Sequence, residues 1–500
     1  MKIRNTNIQE KNFNLINDLG TKREEKNENN KNNLSSIRLY HNFIKIFEAR
    51  LKMLRKAGFL QSNINVYDRI KSALGILASK TYSEIQKENL SNYSDINSYI
   101  IEQVIALTDP QTAEYLLLNY SKKEQNNIAS RMWIREATHR IMEIMRSIII
   151  QIASQAESNL KISIPGQINN QDILPVSLGY YMISYAMSFY RFYYKFSLFK
   201  QEHNEMPSGS GSMGGTSLVM NSNIIARYLH FSNVKRNAAD AFGDDSHISD
   251  FINASNGLAT KIGKIMRQIS FWSQQYNAFI YFIKSHSSNS SFGQSNNDAM
   301  ELIDSIISKS IGICNISNNV NNILVNAACP LTINHQELNA NLFKCFDDLE
   351  YMLLATQDIF FIIKANKRLT KEAAQNPKSF YKDILEWFLK NTELGLHKSI
   401  EVTNSIINKA IENDQKIGLM DLQELQKINP NINAGIYAAV SPMRASIARR
   451  SIDGTSPVKV RKLIRFLIRK MNQDTNDNLN DNNTSDRIDT KLINEAGNIN

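Results

Sequence analysis

Long stretches of this chain contain neither glycine nor proline, and this limits what the chain can fold into. Residues 128–160 include neither one, and their apolar residues Ile141, Met145 and Ile148 recur every three or four positions on one helical face. The 500 residues hold only 19 glycines and 9 prolines, whereas a chain of many short strands needs frequent turn residues. The sequence therefore predicts an all-α fold.

Other segments share this helical periodicity. They are residues 43–60, 248–272, 300–325, 342–365 and 380–387. Gly58 is a plausible C-terminal stop for the first of them. Several of these segments are about 25 residues long, beyond the typical length of roughly 10–14 residues for globular helices. We therefore expect an elongated helical bundle, and the 42% hydrophobic content is ample for a large core.

Residues 176–199 are apolar almost all round the predicted helix and dense in tyrosine and phenylalanine. Such a helix is either buried in a large core or spans a membrane. A membrane span needs about 20 predominantly apolar residues, and here several serines together with Arg191 and Lys195 interrupt the run. We therefore predict a core helix and no membrane span.

The net charge of +10 raises the question of a nucleic-acid or membrane partner. The basic residues are spread along the chain and form no aromatic-interleaved patch, so nucleic-acid binding is not expected. The densest basic run, residues 459–470, has apolar residues at helical spacing and predicts an amphipathic helix. Its basic face is either simply solvated, which we favour, or a surface for an anionic membrane or an acidic partner.

The cysteines and the two ends of the chain indicate an intracellular protein. Cys314, Cys329 and Cys345 make no CxxC pair, so neither a disulfide framework nor a zinc site is expected, and a reducing cytoplasm is the simplest location. The first thirty-odd residues are rich in Asn, Lys and Glu and lack the apolar core of a secretory signal. Both this segment and the Asn/Asp-rich end beyond Met471 are predicted to be disordered tails.

Residues 207–216 form the glycine-rich segment Pro-Ser-Gly-Ser-Gly-Ser-Met-Gly-Gly-Thr. Glycines permit close backbone approach to an anion, so the segment is either a flexible linker or a weak phosphate cradle. No GK[ST] sequence follows it. A nucleotide-binding loop is therefore not predicted.

The segment Pro165-Gly-Gln-Ile-Asn-Asn-Gln-Asp-Ile-Leu-Pro-Val-Ser-Leu-Gly-Tyr180 resembles a known family line. It is similar to Pro-Gly-Tyr-Thr-His-Leu-Gln-Arg-Ala-Gln-Pro-Val-Thr-Phe-Gly-His of argininosuccinate lyases, in the fumarase/aspartase superfamily. Further motifs occur in the family's order. The glycine-rich segment resembles Pro-Leu-Gly-Ser-Gly-Ala-Leu-Ala-Gly-Thr-Ser, residues 237–244 resemble Asn-Ser-Leu-Asp-Ala-Val-Ser-Asp, and residues 441–450 with 454–457 resemble Ser-Pro-Glu-Ala-Ser-Val-Ala-Arg-Arg and Gly-Gly-Thr-Ala-Pro.

The resemblance implies a fumarase/aspartase-type fold with three helical domains and a long central five-helix bundle. It also implies a homotetramer whose active sites are shared between subunits, with no cofactor and no metal. The expected division is a tail at 1–35, an N-terminal helical domain at 36–135, a central bundle at 136–380, a C-terminal helical domain at 381–471 and a tail at 472–500.

The resemblance further implies a β-elimination that breaks a C–N bond of argininosuccinate and gives fumarate and arginine. Such a reaction needs a base, a proton donor for the departing nitrogen, and cations or amides around the carboxylate intermediate. Ser288 matches the family's catalytic serine. Gln294, however, stands at the position of its loop lysine, and Asn169 at that of its histidine. An amide does not titrate in the working range, so Asn169 cannot act as that acid or base.

Residues 118–130 match the family line Leu-His-Thr-Gly-Arg-Ser-Arg-Asn-Asp-Gln-Val-Ala-Thr, which binds substrate carboxylates. The resemblance places Lys122 on an arginine of this line, whereas Asn119, Tyr120, Gln125 and Asn126 are departures from it. Gln171 and Asn334 match family residues elsewhere. We predict that the substrate-binding residues are Lys122, Gln125, Asn126, Gln171, Gln294 and Asn334.

Two functions from different classes remain open. The chain is either a diverged lyase for argininosuccinate or a related amino-succinyl compound, or a catalytically inactive scaffold or regulatory homologue. In the first case His286, Lys122 or Lys123 are the candidates to replace the missing proton donor. The alternative is that Ser288 and His286 belong to a polar loop and have no catalytic role.

Overall fold

The computed structural model describes residues 37–60, 64–88, 90–168, 171–207, 211, 213–274, 278–283, 294–326 and 335–474. The backbone in these ranges is mainly α-helical, with short two-stranded pairings as the β structure. This confirms the predicted all-α class. In the same ranges, no helix is long and apolar enough to cross a membrane.

The N-terminal part of the chain consists of short and medium helices. They are α1 (Tyr40–Lys56), α2 (Ile64–Ala78), α3 (Tyr82–Lys87), α4 (Ile96–Leu107) and α5 (Pro110–Leu117). Local capping explains where several begin: Asp95 accepts a hydrogen bond from the Ser98 amide at α4, and Asp109 accepts one from the Thr112 amide at α5. Gly58 follows α1 with a positive φ of 89°, a conformation that favours glycine, as expected for a helix stop.

The middle of the chain forms the long helices that the periodicity predicts. They are α6 (Lys122–Ser158), α7 (Leu178–Glu202), α10 (Ser246–Ser273), α11 (Gln294–Asn326) and α12 (His335–Ile362). Two shorter helices lie between α7 and α10, namely α8 (Ser222–Tyr228) and α9 (Ala238–Gly243). The longest, α6, has 37 residues and begins six residues before the periodic segment seen in the sequence.

The C-terminal part returns to short helices. They are α13 (Lys367–Ala373), α14 (Tyr381–Asn391), α15 (Leu396–Glu412), α16 (Leu422–Ile428), α17 (Ile436–Ala439), α18 (Pro442–Ala448) and α19 (457–474). Helix α19 confirms the predicted amphipathic helix, since Val460, Ile464 and Leu467 are buried and most of its basic side chains are exposed. It continues to Asp474, three residues beyond the predicted domain end at 471.

The β structure was not predicted from the sequence. Strands β1 (Ser163–Ile168) and β2 (Gln171–Ser177) pair antiparallel, with a register shift between Gly166 and Gln167. Strands β3 (Glu205–Met206) and β4 (Asn233–Val234) pair in parallel, and β5 (Ile280–Phe282) pairs antiparallel with β6 (Ile363–Ala365). The β1–β2 hairpin is formed by the Pro165 motif.

The chain forms two compact units. The first comprises Met1–Met142, Lys195–Ala259 and Ser310–Glu350, and the second comprises Glu143–Tyr194, Thr260–Lys309 and Tyr351–Asn500. The three-domain division expected from the resemblance remains a prediction.

Each unit has its own buried core. In the first, Phe196 and Phe251 are nearly inaccessible, with ring centroids 6.1 Å apart. In the second, α14, α15 and the helices that follow bury a cluster around Phe380, Phe388 and Ile406. Burial of each such side chain stabilises the fold by roughly 1.5–3 kcal/mol. The buried residues of α7, including Phe189 and Phe196, confirm the predicted core helix, which begins at Leu178, two residues after the predicted start.

Candidate functional site

The turn that precedes α6 is held by a buried arginine. Asn119 has a φ of 55°, in the left-handed region that asparagine tolerates better than most residues. Arg50, on α1, is fully buried and donates from Nη2 to the carbonyls of Leu118 (2.8 Å) and Asn119 (3.2 Å). These bonds fix the entry to the segment that the resemblance assigns to substrate carboxylates.

Lys122 is the first residue of α6 and forms an ion pair. Its Nζ lies 2.5 Å from Oδ2 of Asp95, whose other carboxylate oxygen caps α4. The Lys122 side chain is 42% exposed, whereas that of Asp95 is 8% exposed. The positive charge predicted to bind substrate is therefore already balanced by a carboxylate of the same chain.

Gln125 and Asn126 lie in the first two turns of α6. Gln125 is 1% exposed, and its Oε1 has no hydrogen-bond partner within the described part of the chain. Asn126 is half-buried and donates from Nδ2 to the carbonyl of Lys122 at 3.0 Å. The structure thus brings Lys122, Gln125 and Asn126 together at one end of α6.

Glu124 was not identified as a site residue from the sequence, although the aligned family line gives a signal for it. The aligned family line carries its second arginine at this position, so the charge is reversed here. Glu124 is 4% exposed, and its Oε2 accepts a hydrogen bond of 2.7 Å from the amide of Gly211 in the glycine-rich segment. Gly211 has a φ of +80°, and a Cβ there would lie 2.3 Å from Oδ1 of Asn119. The contact therefore requires glycine at 211.

Asp244, directly after α9, organises a partly buried ionic network with residues one turn further along α6. Its Oδ2 accepts from Nη2 of Arg131 at 2.6 Å and from Nζ of Lys235 at 2.5 Å, and its carbonyl accepts from Nδ2 of Asn127 at 2.8 Å. Burial tends to raise the pKa of Asp244, but the bonds from Lys235 and Ser246 and the charge of Arg131 outweigh it. The pKa is held well below its usual value, so the carboxylate stays charged.

His247 is fully buried beside this network. Its Nε2 lies 2.7 Å from Oγ of Ser130, and that hydroxyl donates to the carbonyl of Asn127 at 3.0 Å. When the hydroxyl proton is directed to Asn127, Nε2 of His247 is the donor in this bond. Burial, reinforced by Arg131, lowers the pKa of His247 well below its ordinary value, so the imidazole is neutral.

Asp245 and His335 form a second pair of titratable groups. Oδ1 of Asp245 lies 3.6 Å from Nδ1 of His335, the first residue of α12. Burial raises the pKa of Asp245 to about 6, against the opposing charge of Lys123. Burial, with Lys123, lowers the pKa of His335 to about 4. Neither residue was singled out in the sequence, since a single Asp or His carries no local pattern.

Gln171 lies in the second unit, exposed at the start of β2 and paired with Ile168. The hairpin lines a cleft of about 580 Å³ together with α14 and residues 448–455. At this cleft Arg449 donates from Nη1 to the carbonyl of Pro175 at 2.6 Å, which ties the hairpin to the segment after α18.

The remaining predicted site residues lie outside the described residues. They are Ser288, Asn169 and Asn334, together with the alternative His286. Gln294 begins α11, but its side chain is also outside the described set. The roles expected for these five residues stay predictions.

Solved structures with this fold are lyases and a related lactonizing enzyme. EDDS lyase in complex with formate has a TM-score of 0.78 at 16% identity, covering 92% of this chain and 91% of that one. The 3-carboxy-cis,cis-muconate lactonizing enzyme from Pseudomonas putida has a TM-score of 0.69 at 12% identity, covering 88% and 95%. The chain therefore shares the fold of this class of enzymes.

Sequence comparison identifies the family within this class of enzymes. A family model described as "Lyase" matches residues 28–312, more than half of the chain. Argininosuccinate lyase from Bartonella tribocorum is 26% identical over 407 residues, covering 80% of this chain and 85% of that protein. The corresponding enzyme from Chelativorans sp. is 25% identical over 436 residues, covering 86% and 90%. The chain belongs to the lyase family, as a divergent argininosuccinate lyase-like member of the fumarase/aspartase superfamily.

Proposed function

We propose that this chain is a non-catalytic homologue of argininosuccinate lyase, which keeps the family scaffold but does not convert argininosuccinate. The observation that carries the proposal is the ion pair between Lys122 and Asp95. A cation that binds a substrate carboxylate must offer its charge to the ligand, and this one is already paired at 2.5 Å. Binding a dicarboxylate here would require the pair to break.

Two replacements in the sequence support the same conclusion. Asn169 stands where the family has its histidine, and Gln294 where it has its loop lysine. An amide can neither protonate the leaving nitrogen nor supply positive charge to a carboxylate intermediate. Loss of one such group commonly reduces turnover by about 10²–10⁴-fold.

We further propose that the chain assembles as a homotetramer and works in the cytoplasm, in a structural or regulatory role. The family resemblance supports the tetramer. The residues 441–450, which match the family's Ser-Pro-Glu-Ala-Ser-Val-Ala-Arg-Arg line, support retention of the scaffold, because Arg449 at its end bonds to both Asp383 and Pro175. Light scattering should give the mass of four 57.1 kDa chains.

A second candidate is a C–N lyase that acts on argininosuccinate, and so in arginine biosynthesis, or on a related amino-succinyl compound. It is favoured by one observation, namely that Ser288 is retained at the position of the family's catalytic serine. In that case the proton donor must differ from the family's histidine, and the candidates are His286, Lys122 and Lys123.

Fumarate release measured by absorbance distinguishes the two functions. Purified protein of confirmed tetrameric mass is given argininosuccinate, with a Ser288→Ala variant as the matched control. We expect wild type and variant to release fumarate at the same background rate. Release by the wild type that disappears in the variant would overturn the non-catalytic proposal and establish the lyase.

A further inference from the structure

The guanidinium of Arg50 is a buried cation with unused hydrogen-bond donors. Nη2 serves the carbonyls of Leu118 and Asn119, whereas Nε and Nη1 have no hydrogen-bond partner among the described residues. Burial lowers the pKa of Arg50, and the charge of Glu124 opposes this lowering. A fully buried guanidinium is costly unless an anion lies near it, so Glu124 serves as its counter-ion.

The amide of Gly211 is bonded directly to the carboxylate of Glu124. It donates to Oε2 of Glu124 at 2.7 Å, in a buried hydrogen bond. Backbone amides of glycine-rich segments are common binding groups for carboxylates and phosphates, since no Cβ obstructs the ligand. Here a carboxylate sits on that amide, and it belongs to the chain itself.

We propose that the Gly211 amide forms a carboxylate-binding site that this chain fills with its own Glu124 side chain, beside the Asn119 carbonyl that the buried Arg50 guanidinium also contacts. The site is closed to outside anions as long as Glu124 occupies it. The close contact of Gly211 with Asn119 and the 4% exposure of Glu124 mean that no second carboxylate fits beside the first. This inference concerns the occupant of the site, and holds whether or not the chain turns over a substrate.

The site also explains the role of the Gly211 amide. Without a ligand, this amide would be left buried and unpaired, at a cost of about 1–3 kcal/mol for such a group in general. The Glu124 carboxylate accepts its hydrogen bond, which anchors Gly211 to the start of α6.

Chemical rescue tests the proposal. In Glu124→Ala the carboxylate is removed and a cavity opens in its place. Formate, the smallest carboxylate, can enter this cavity and supply the missing negative charge. We expect the variant to unfold at a lower temperature than wild type, and formate to restore it in a saturable manner. Formate at about 100 times its dissociation constant should raise the ratio of folded to unfolded protein about 100-fold. Sodium chloride at equal ionic strength should not do so.

Glu124→Gln is the matched control. Its amide oxygen can still accept from Gly211 and fills the same volume, so formate has no space to enter and should have no saturable effect. The wild type should behave in the same way. If formate fails to stabilise a folded Glu124→Ala protein, or stabilises wild type equally, the proposal is wrong.

If Glu124→Ala does not fold, a double-mutant cycle between Arg50 and Glu124 tests the proposal instead. The variants are Glu124→Gln, Arg50→Met and their combination, each measured by urea unfolding. The loss of the Leu118 and Asn119 bonds is common to both Arg50 variants and cancels in the cycle. We expect Arg50→Met to cost clearly less in the Glu124→Gln background than in wild type. Additive costs would overturn the proposal.

Discussion

Arg449 and Asp383 form a buried two-point ion pair in the second unit. Nε of Arg449 lies 3.1 Å from Oδ1 of Asp383, and Nη2 lies 2.5 Å from Oδ2. The side chains are 12% and 7% exposed. Burial raises the pKa of Asp383, and Arg449 opposes that rise. The pair connects the segment after α18 to α14, while the third donor of Arg449 holds the hairpin.

Arg449→Met should therefore be strongly destabilising. Removal of one partner leaves a buried carboxylate without its counter-ion, which typically costs about 3–5 kcal/mol. Urea unfolding measures the change. The control is Lys398→Met, which breaks an exposed pair with Glu401 whose side chains are 62% and 49% exposed. That change should cost less than about 1 kcal/mol, and an equal loss in both variants would contradict the role of Arg449.

Gly179 should not accept even one methyl group. Its ideal Cβ would lie 2.3 Å from the carbonyl oxygen of Ala156 at the end of α6. Gly179→Ala therefore forces backbone movement where α7 begins, with an expected cost of about 1–3 kcal/mol or more. Gly214→Ala is the control, since nothing lies within 4 Å of its Cβ. Thermal unfolding of the two variants should separate them clearly, and matching midpoints would disprove this close approach.

Asp245 should make stability depend on pH between about 4 and 6. Its pKa is raised by burial from 3.8 to about 6, so in this window the folded protein holds a proton that the unfolded chain has released. The contribution of Asp245 to stability therefore falls as pH rises through the window. His335 contributes with the opposite sign, because its pKa is lowered from 6.5 to about 4, so the effect of Asp245 is measured as the difference between wild type and an Asp245 variant.

Asp245→Asn should consequently be more stable than wild type at pH 7, by on the order of 3 kcal/mol. The advantage should disappear near pH 4, where Asp245 is protonated in both states. Urea unfolding at pH 4, 5, 6 and 7 gives the difference. The charges of Lys123, Arg131 and Asp244 are present in both proteins. Asp68→Asn, at an exposed position, should show no such pH-dependent gain.

Ser130→Ala should destabilise the first unit by leaving His247 unpaired. The hydroxyl of Ser130 accepts from Nε2 of a fully buried, neutral imidazole at 2.7 Å. Loss of the acceptor strands a buried donor, at a cost of about 1–3 kcal/mol. Ser405→Ala removes only an exposed bond to the carbonyl of Glu401 and should be nearly neutral. If NMR of His247 shows no change in its ring environment, the assigned hydrogen bond is wrong.

The helices were predictable because their signal is local. Apolar residues at a spacing of three and four define α6, α10 and α12 to within a few residues at most ends, and α6 and α12 also lack glycine and proline. The β1–β2 hairpin was not predicted. Pro165 and Pro175 face each other in it, and proline is usually depleted in strands, so its pairing depends on the contacts that surround it.

The candidate site was only partly predictable. Lys122, Gln125 and Asn126 were identified from the family line and do lie together at one end of α6. Their partners were not, because Asp95 and Arg50 are distant in sequence and carry no motif of their own, and the glycine-rich motif that contains Gly211 does not show which side chain its amide binds.

The sequence by itself determined the helical class, the positions of the long helices and the family, and it predicts that Asn169 and Gln294 stand at the positions of the family's histidine and lysine. Periodicity and residue identity are local properties that need no partner. Only the tertiary structure decided that Lys122 is paired with Asp95 and that Glu124 lies on the Gly211 amide. The charge available to a ligand depends on which distant groups fold against it, and on how far burial excludes water from the contact.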